Sequence, residues 1–300
     1  MKFSYLYGAY GTPVRYNVDA YKDKTRVVIA TLICAVLLFS IAALQIMHAK
    51  NNVVEASPVV QQTQQPNENL PKPSEPSPTT VNYQSIVDDW TKSHKGTYGI
   101  VVSSLDGKTI ASSGADQKFF MASIYKLYTA YIAYQKVDKG TLKLSDPYWK
   151  DWTRGQCLDA MIRISHNECG EKMLPELGRE VSAKLKSYGL QNTSIGSFET
   201  TAGDAAIILA RIQNGTDLSV SSRDKLLDSM LAQKYRDGLP QGFSSSSVYD
   251  KVGFRSPTEY HDVGIVKLSN GSSIIVSIMT KDAGVNNIAG LAKQISSALK

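Results

Sequence analysis

The hydrophobic rhythm of the chain changes three times. Residues 27–47, VVIATLICAVLLFSIAALQIM, are almost wholly apolar and carry no charge. At about 1.5 Å of rise per residue a helix of that length crosses a hydrocarbon core of about 30 Å, so a transmembrane helix is expected there. The run is longer than the roughly 7 to 15 apolar residues of a cleaved leader, and no small-x-small cleavage site follows closely. From Asn51 to about Thr80 the rhythm disappears. Gln, Asn, Ser, Thr and six of the eleven prolines cannot bury a core, which predicts an extended, disordered spacer over 48–80. From residue 81 regular periods return. YGIVVSSL (98–105), a turn at Asp106-Gly107 and KTIASSG predict a β-hairpin. VYDKVGF (248–254), DVGIVKLS (262–269) and, beyond Asn270-Gly271, SSIIVSIM (272–279) predict three more strands. NYQSIVDDWTKSH before the first strand and NNIAGLAKQISSALK at the end have helical spacing, as does everything between the two strand groups. Strands from both ends of 81–300 must share one sheet, so the expected fold is α/β: a sandwich into which an all-helical subdomain is inserted.

Charge orients this plan. Lys2, Arg15, Lys22, Lys24 and Arg26 outnumber Asp19 and Asp23 ahead of the apolar run, while only Lys50 precedes Glu55 behind it. By the positive-inside rule residues 1–26 form a cytoplasmic, tyrosine-rich tail, and the domain 81–300 is extracytoplasmic on the cell membrane. A proline-rich spacer of that length reaches on the order of 90 Å, which suits work on the cell wall. Cys34, in the middle of the span, is expected to pack against lipid or a partner helix. The formal charge of +6 is dispersed, without the Lys/Arg cluster that tracks a phosphate backbone, which argues against nucleic acid as a partner.

Candidate chemistry begins with FFMASIYKLYTAYIAY (119–134), where Ser123 and Lys126 interrupt an apolar and aromatic run. Three apart on a helix, they lie on one face, and an amine desolvated there loses its proton more readily and can serve as base for the hydroxyl. The same S-x-x-K spacing at Ser222 and Lys225 reads as a helix cap with a solvated lysine. MIRISHNECG supplies Ser165 and Asn167, and VYDKVGF supplies Lys251 and Gly253. This ordered set of S-x-x-K, S-x-N and K-x-G, with FFMASIYKL, CLDAMIRISHN, ETTAGDAAIILARI and RDGLPQGF around it, resembles the penicillin-recognising serine acyltransferases, particularly the class A β-lactamases, over about residues 82–300.

The resemblance implies a β-lactamase-like sandwich whose antiparallel sheet has five strands flanked by helices. It implies a Ser123 acyl-enzyme formed with a β-lactam or a D-alanyl peptide, with Lys126 as base or proton shuttle, Ser165 relaying a proton to the leaving nitrogen, and Lys251 positioning Ser165 and attracting the substrate carboxylate. Asn167 would hold Lys126 and the substrate, Gly253 would let substrate approach the strand, and the N–H groups of Ser123 and Phe254 would form the oxyanion hole. Three departures qualify it. His166 stands where the family has aspartate, and Val252 stands where it has a hydroxyl, a loss for which His261 is a candidate substitute. SYGLQNTSIGSFETT offers only Glu199, against Thr200, as a water-activating base or a structural carboxylate. Cys157 and Cys169 can form a disulfide if two helices meet between them, since one continuous helix would hold them about 18 Å apart; otherwise they are two small buried hydrophobes. No Cys/His spacing suggests a metal, and no cofactor is implied. The function is therefore expected to be that of a membrane-anchored serine hydrolase acting on β-lactams. A D-alanyl-D-alanine peptidase with slow deacylation and a non-catalytic wall-binding module are the alternatives.

Overall fold

A computed structural model describes residues 3–7, 13–17, 82–178 and 180–299. The expected membrane span at 27–47 and spacer at 48–80 lie outside the described residues. Among the described residues no helix is long and apolar enough to cross a membrane. The chain divides into two compact units, Met1–Ser74 and Glu75–Lys300. In the first, β1 (Phe3–Tyr7) and β2 (Pro13–Asn17) pair antiparallel, with Phe3 opposite Asn17. No strand is expected from the sequence there.

In the second unit α1 (Tyr83–Ser93) leads into β3 (Thr97–Ser104), β4 (Thr109–Ser113) and the short β5 (Phe119–Phe120). The helical insertion comprises α2 (Tyr125–Asp138), a hairpin of β6 (Pro147–Trp149) and β7 (Trp152–Thr153), α3 (Arg154–Arg163), α4 (Asn167–Leu177) and α5 (Glu180–Ser187). Then follow β8 (Glu199–Thr200), α6 (Ala202–Gln213), α7 (Val220–Leu231) and α8 (Leu239–Gly242). The chain closes with β9 (Ser247–Arg255), β10 (Glu259–Lys267), β11 (Ser273–Lys281) and α9 (Val285–Ala298).

The main sheet has the order β4-β3-β11-β10-β9, antiparallel throughout. Val102 of β3 faces Val276 of β11, so strands from the two ends of the unit meet at its centre. Each strand alternates between two apolar layers, as the period of two requires. Ile274, Val276 and Ile278 of β11 pack with Ile100, Val102, Val87 of α1 and Ile288, Leu291 and Ile295 of α9. Ile275 and Met279 pack instead with Val101, Val263 and Ile265 and with the helical insertion. The centre of that second layer is α2, in which every residue from Tyr125 to Gln135 is buried. Buried on all sides, α2 shows no single apolar stripe.

Strand β10 begins earlier, and β11 ends later, than the hydrophobic pattern suggests. The added positions are polar: Glu259 takes two bonds from Arg255 at 2.6 and 2.8 Å, and the Thr280 hydroxyl donates to the Tyr260 carbonyl at 2.7 Å. Polar groups satisfied by neighbouring strands hide the alternation from sequence. β5 pairs with β8, and these two-residue strands are too short to show a period.

Between α3 and α4 the chain turns at Ser165, and the two helices come together. Cys157 and Cys169 are joined there by a disulfide with Cα atoms 5.3 Å apart. Closing a loop of that size restricts the unfolded chain by about 3 kcal/mol on the loop-entropy account. The Cys157→Ala/Cys169→Ala double variant is expected to unfold about 2–4 kcal/mol more easily in urea. Dithiothreitol should lower the wild-type midpoint towards the variant's and leave the variant unmoved; equal midpoints without reductant would contradict this.

Candidate active site

Ser123 sits in a 3₁₀ turn, Ala122–Ile124, that runs directly into α2. The turn is set by backbone that sequence does not advertise. Ala122 has φ 43° and Phe198, in the loop before β8, has φ 57°, both in the left-handed region where a non-glycine residue costs roughly 1–2 kcal/mol. The Phe198 carbonyl accepts the Met121 N–H at 2.9 Å, and its ring lies 5.4 Å from Phe120 and 5.0 Å from Tyr125. A third left-handed residue, Ser165 at φ 54°, makes the corner between α3 and α4. Strain is thus gathered around one point.

That point is the amine of Lys126, a side chain with no exposure. Its Nζ is 2.6 Å from the Ser165 carbonyl and 2.7 Å from Asn167 Oδ1, and farther, 3.2 and 3.3 Å, from Ser123 Oγ and Ser165 Oγ. Among the described residues no carboxylate lies within ion-pair distance of it. Burial drives its pKa down from 10.5 to about 8, against the opposing pull of the more distant Glu171 and Glu168. At pH 7.5 such an amine is neutral in roughly a quarter of molecules, against about one in a thousand at the ordinary value. A neutral amine has two N–H donors, which the two short contacts absorb, so its lone pair faces the hydroxyls. The room for this packing comes from Gly170 of α4, where a Cβ would stand 2.6 Å from the Tyr125 hydroxyl and 3.0 Å from Lys126 Cε.

Lys251 reaches the same corner from β9, the edge strand of the sheet. Its Nζ donates to Ser165 Oγ at 3.0 Å and to the Val252 carbonyl at 2.8 Å. Burial first, then repulsion from Lys126, holds its pKa well below the ordinary lysine value. Behind it Asp250 and Asp262 are fully buried. Asp250 accepts from Arg236 at 2.7 Å and Asp262 from the Leu239 N–H at 2.7 Å, while Asp250 Oδ2 and Asp262 Oδ1 meet no donor from another residue. Burial pushes both carboxyls up, and the neighbouring Asp262 charge raises Asp250 further, so a proton on the pair is favoured.

The S-x-x-K, S-x-N and K-x-G residues therefore converge, with Ser123 and Ser165 half-buried and Asn167 exposed at the mouth. Other assignments change. Gly253 does not leave space for substrate on its Cα side: a Cβ there would stand 2.9 Å from Ile124 Cγ1 and 3.2 Å from the Ile124 N, so the glycine lets the serine turn pack on β9. Phe254 lies on β9 opposite Tyr260, its ring edge-on to Tyr235 at 5.6 Å. His261 is no substitute for the missing hydroxyl. It lies inside β10 opposite Gly253, is 2% exposed, and its nitrogens meet the Phe120 carbonyl and the Thr280 N–H. Glu199 is engaged by the Ser197 hydroxyl at 3.0 Å and pairs with Phe120 across the small sheet. Ser222 is buried and donates to Asp138 at 2.6 Å, a structural contact. Among the described residues no cluster of His, Cys, Asp and Glu could hold a metal ion. Sequence reasoning missed Phe198, Gly170 and the Asp250–Asp262 pair; only Asp250, adjacent to Lys251, carried a signal.

A five-stranded antiparallel sheet whose edge meets a serine–lysine helix turn defines a penicillin-recognising serine enzyme fold. The family model described as the β-lactamase enzyme family matches residues 82–300, and the chain belongs to that family. Among solved structures it is similar to PBP-A, at 25% identity over 74% of this chain and 96% of that one, TM-score 0.67. The L158E mutant of PBP-A, solved as an acyl-enzyme complex with penicillin G, matches at 26% identity over 74% and 97%, TM-score 0.66. The class A β-lactamase of the last common ancestor of Gram-negative bacteria, at 21% identity over 73% and 100% with TM-score 0.66, shares the fold. Curated proteins give no match. Because those solved chains are matched over 96% or more of their length, the unit Glu75–Lys300 corresponds to nearly the whole of each.

Gly253→Ala is expected to lower the unfolding free energy of this unit by about 1–3 kcal/mol, because the Ile124 backbone must give way. Urea unfolding measures it, and an unchanged midpoint would show that the turn has slack.

Proposed function

We propose that Ser123 of this chain is acylated by β-lactams, and by D-alanyl peptides of the cell wall, and that its penicilloyl ester is long-lived. The observation that carries this reading is the arrangement of oxygens about the Lys126 amine. As Ser123 Oγ attacks the amide carbonyl, the neutral amine takes its proton, and the new ammonium finds its oxygens already in place. Ser165 then passes a proton to the departing nitrogen while Lys251 holds that hydroxyl and supplies positive potential for a substrate carboxylate. The N–H groups of Ser123 and Phe254 would bind the oxyanion. The acyl-enzyme complex of the PBP-A L158E mutant with penicillin G supports the same chemistry here.

Slow release follows from the loop before β8. Its one acid, Glu199, is held by Ser197, and the loop side chain against Tyr125 is the phenyl ring of Phe198. No loop carboxylate is left to activate water. The reading also takes residues 27–47 as a membrane anchor with this unit on the outer side, which rests on the sequence pattern.

Intact-mass analysis of residues 75–300 mixed with excess penicillin G and then freed of drug tests the proposal. A penicilloyl adduct should form and persist, be absent in Ser123→Ala, remain in Ser222→Ala, and keep its lifetime in Glu199→Gln. A thousandfold slower release corresponds to about 4 kcal/mol of missing transition-state stabilisation. Rapid return to unmodified protein, lost in Glu199→Gln, would make the chain a hydrolytic β-lactamase. No adduct with any β-lactam would leave a wall-binding module.

A further inference from the structure

His166 lies between the two residues that hold Lys126, yet its ring is built into the scaffold. Its Nδ1 accepts the Cys169 N–H at 3.3 Å and closes the first turn of α4, while its own backbone N–H donates to the Ala160 carbonyl at 3.1 Å. The ring packs against Trp149 at 4.7 Å and Trp152 at 5.0 Å, and the side chain is 9% exposed. Only a neutral imidazole protonated at Nε2 can accept at Nδ1; the imidazolium has two donors and no acceptor. An aspartate cap, the residue the family resemblance leads one to expect, keeps its acceptors down to about pH 4.

The charged groups facing the ring come from three elements. Glu168 of α4 places Oε2 3.6 Å from Nδ1, Lys126 projects from α2, and Lys150 comes from the turn between β6 and β7. Burial first, and then the two lysines, hold the imidazole below its ordinary value of 6.5 against the pull of the exposed Glu168. The cap is thus intact at neutral pH and is lost as pH falls through the lowered pKa.

We propose that His166 is a pH-sensitive positioning residue: its neutral imidazole caps α4 and so keeps Ser165 and Asn167 on Lys126, and protonation at Nδ1 undoes that hold. The proton comes from solvent and no covalent step is involved. Losing the cap frees the start of α4, which carries Asn167, next to the left-handed Ser165. The imidazolium also adds a second positive charge near the amine that must stay neutral. The effect on acylation rests on the function proposed above; the effect on α4 does not.

Two measurements on residues 75–300 separate these. The first follows the penicillin acylation rate from about pH 8.5 down to about pH 5. Protonation of Lys126 lowers the rate about tenfold per pH unit, and protonation of His166 should steepen the fall towards about a hundredfold per unit once the pH passes through the lowered pKa of the imidazole. His166→Asn retains a cap oxygen without a titrating ring and should stay at about tenfold per unit. The second is nitrogen-15 NMR of the imidazole and of the α4 amides. The ring should be the Nε2–H form at neutral pH, and the Asn167 to Gly170 amide signals should move with its titration. Equal slopes for wild type and His166→Asn, an Nδ1–H ring at neutral pH, or amides indifferent to the titration would each overturn the proposal. A wild type that no penicillin acylates would sink the proposed function, leaving the NMR result to decide this one.

Discussion

The site depends on a buried amine with no carboxylate beside it. Lys126 is wholly enclosed, and its four oxygen neighbours, two hydroxyls, an amide and a peptide carbonyl, are all neutral. A carboxylate in that place would stabilise the ammonium and keep the base protonated. Neutral oxygens satisfy the N–H groups while leaving the charge unfavourable, which holds the amine's pKa near physiological pH. Lys251 adds to the effect, because it is buried beside Lys126 and the two amines repel each other.

Holding four oxygens around one nitrogen sets conditions on much of the helical insertion. Ser123 must leave a 3₁₀ turn at the head of an entirely buried helix, so the turn is pinned to the Phe198 carbonyl and packed on a strand residue without a side chain. Ser165 must present both carbonyl and hydroxyl to amines, which the left-handed corner between α3 and α4 achieves. That corner is tied by the Cys157–Cys169 disulfide and by the His166 cap on the next helix. Stability and reactivity are coupled here, since the left-handed conformations that present the groups are unfavourable by themselves.

The sequence made some of this plain. A lysine inside FFMASIYKLYTAYIAY is conspicuous because burying a cation needs a reason, and the strands declared themselves through alternation and two Xaa-Gly turns. For Cys157 and Cys169 the sequence left two readings, a disulfide across a turn between two helices or two small buried hydrophobes, and the structure shows the first. What stayed hidden was tertiary. Gly253 announced a missing side chain but not that Ile124 fills its place. His261 was a polar residue at a strand end whose two backbone partners lie on other segments. The Asp250–Asp262 pair joins residues on adjacent strands that sequence sees only as single inward positions, and φ at Ala122, Ser165 and Phe198 leaves no trace in residue type.

The central claim is that Lys126 is an amine able to be neutral near physiological pH, and a carbon-13 NMR titration of its Cε resonance in residues 75–300 tests it most directly. The account predicts an apparent pKa of about 8, rising towards the ordinary lysine value when Lys126 is exposed by unfolding. A folded-state value above about 10 would contradict it, because Lys126 would then be a permanent cation and the base for Ser123 would have to be sought elsewhere.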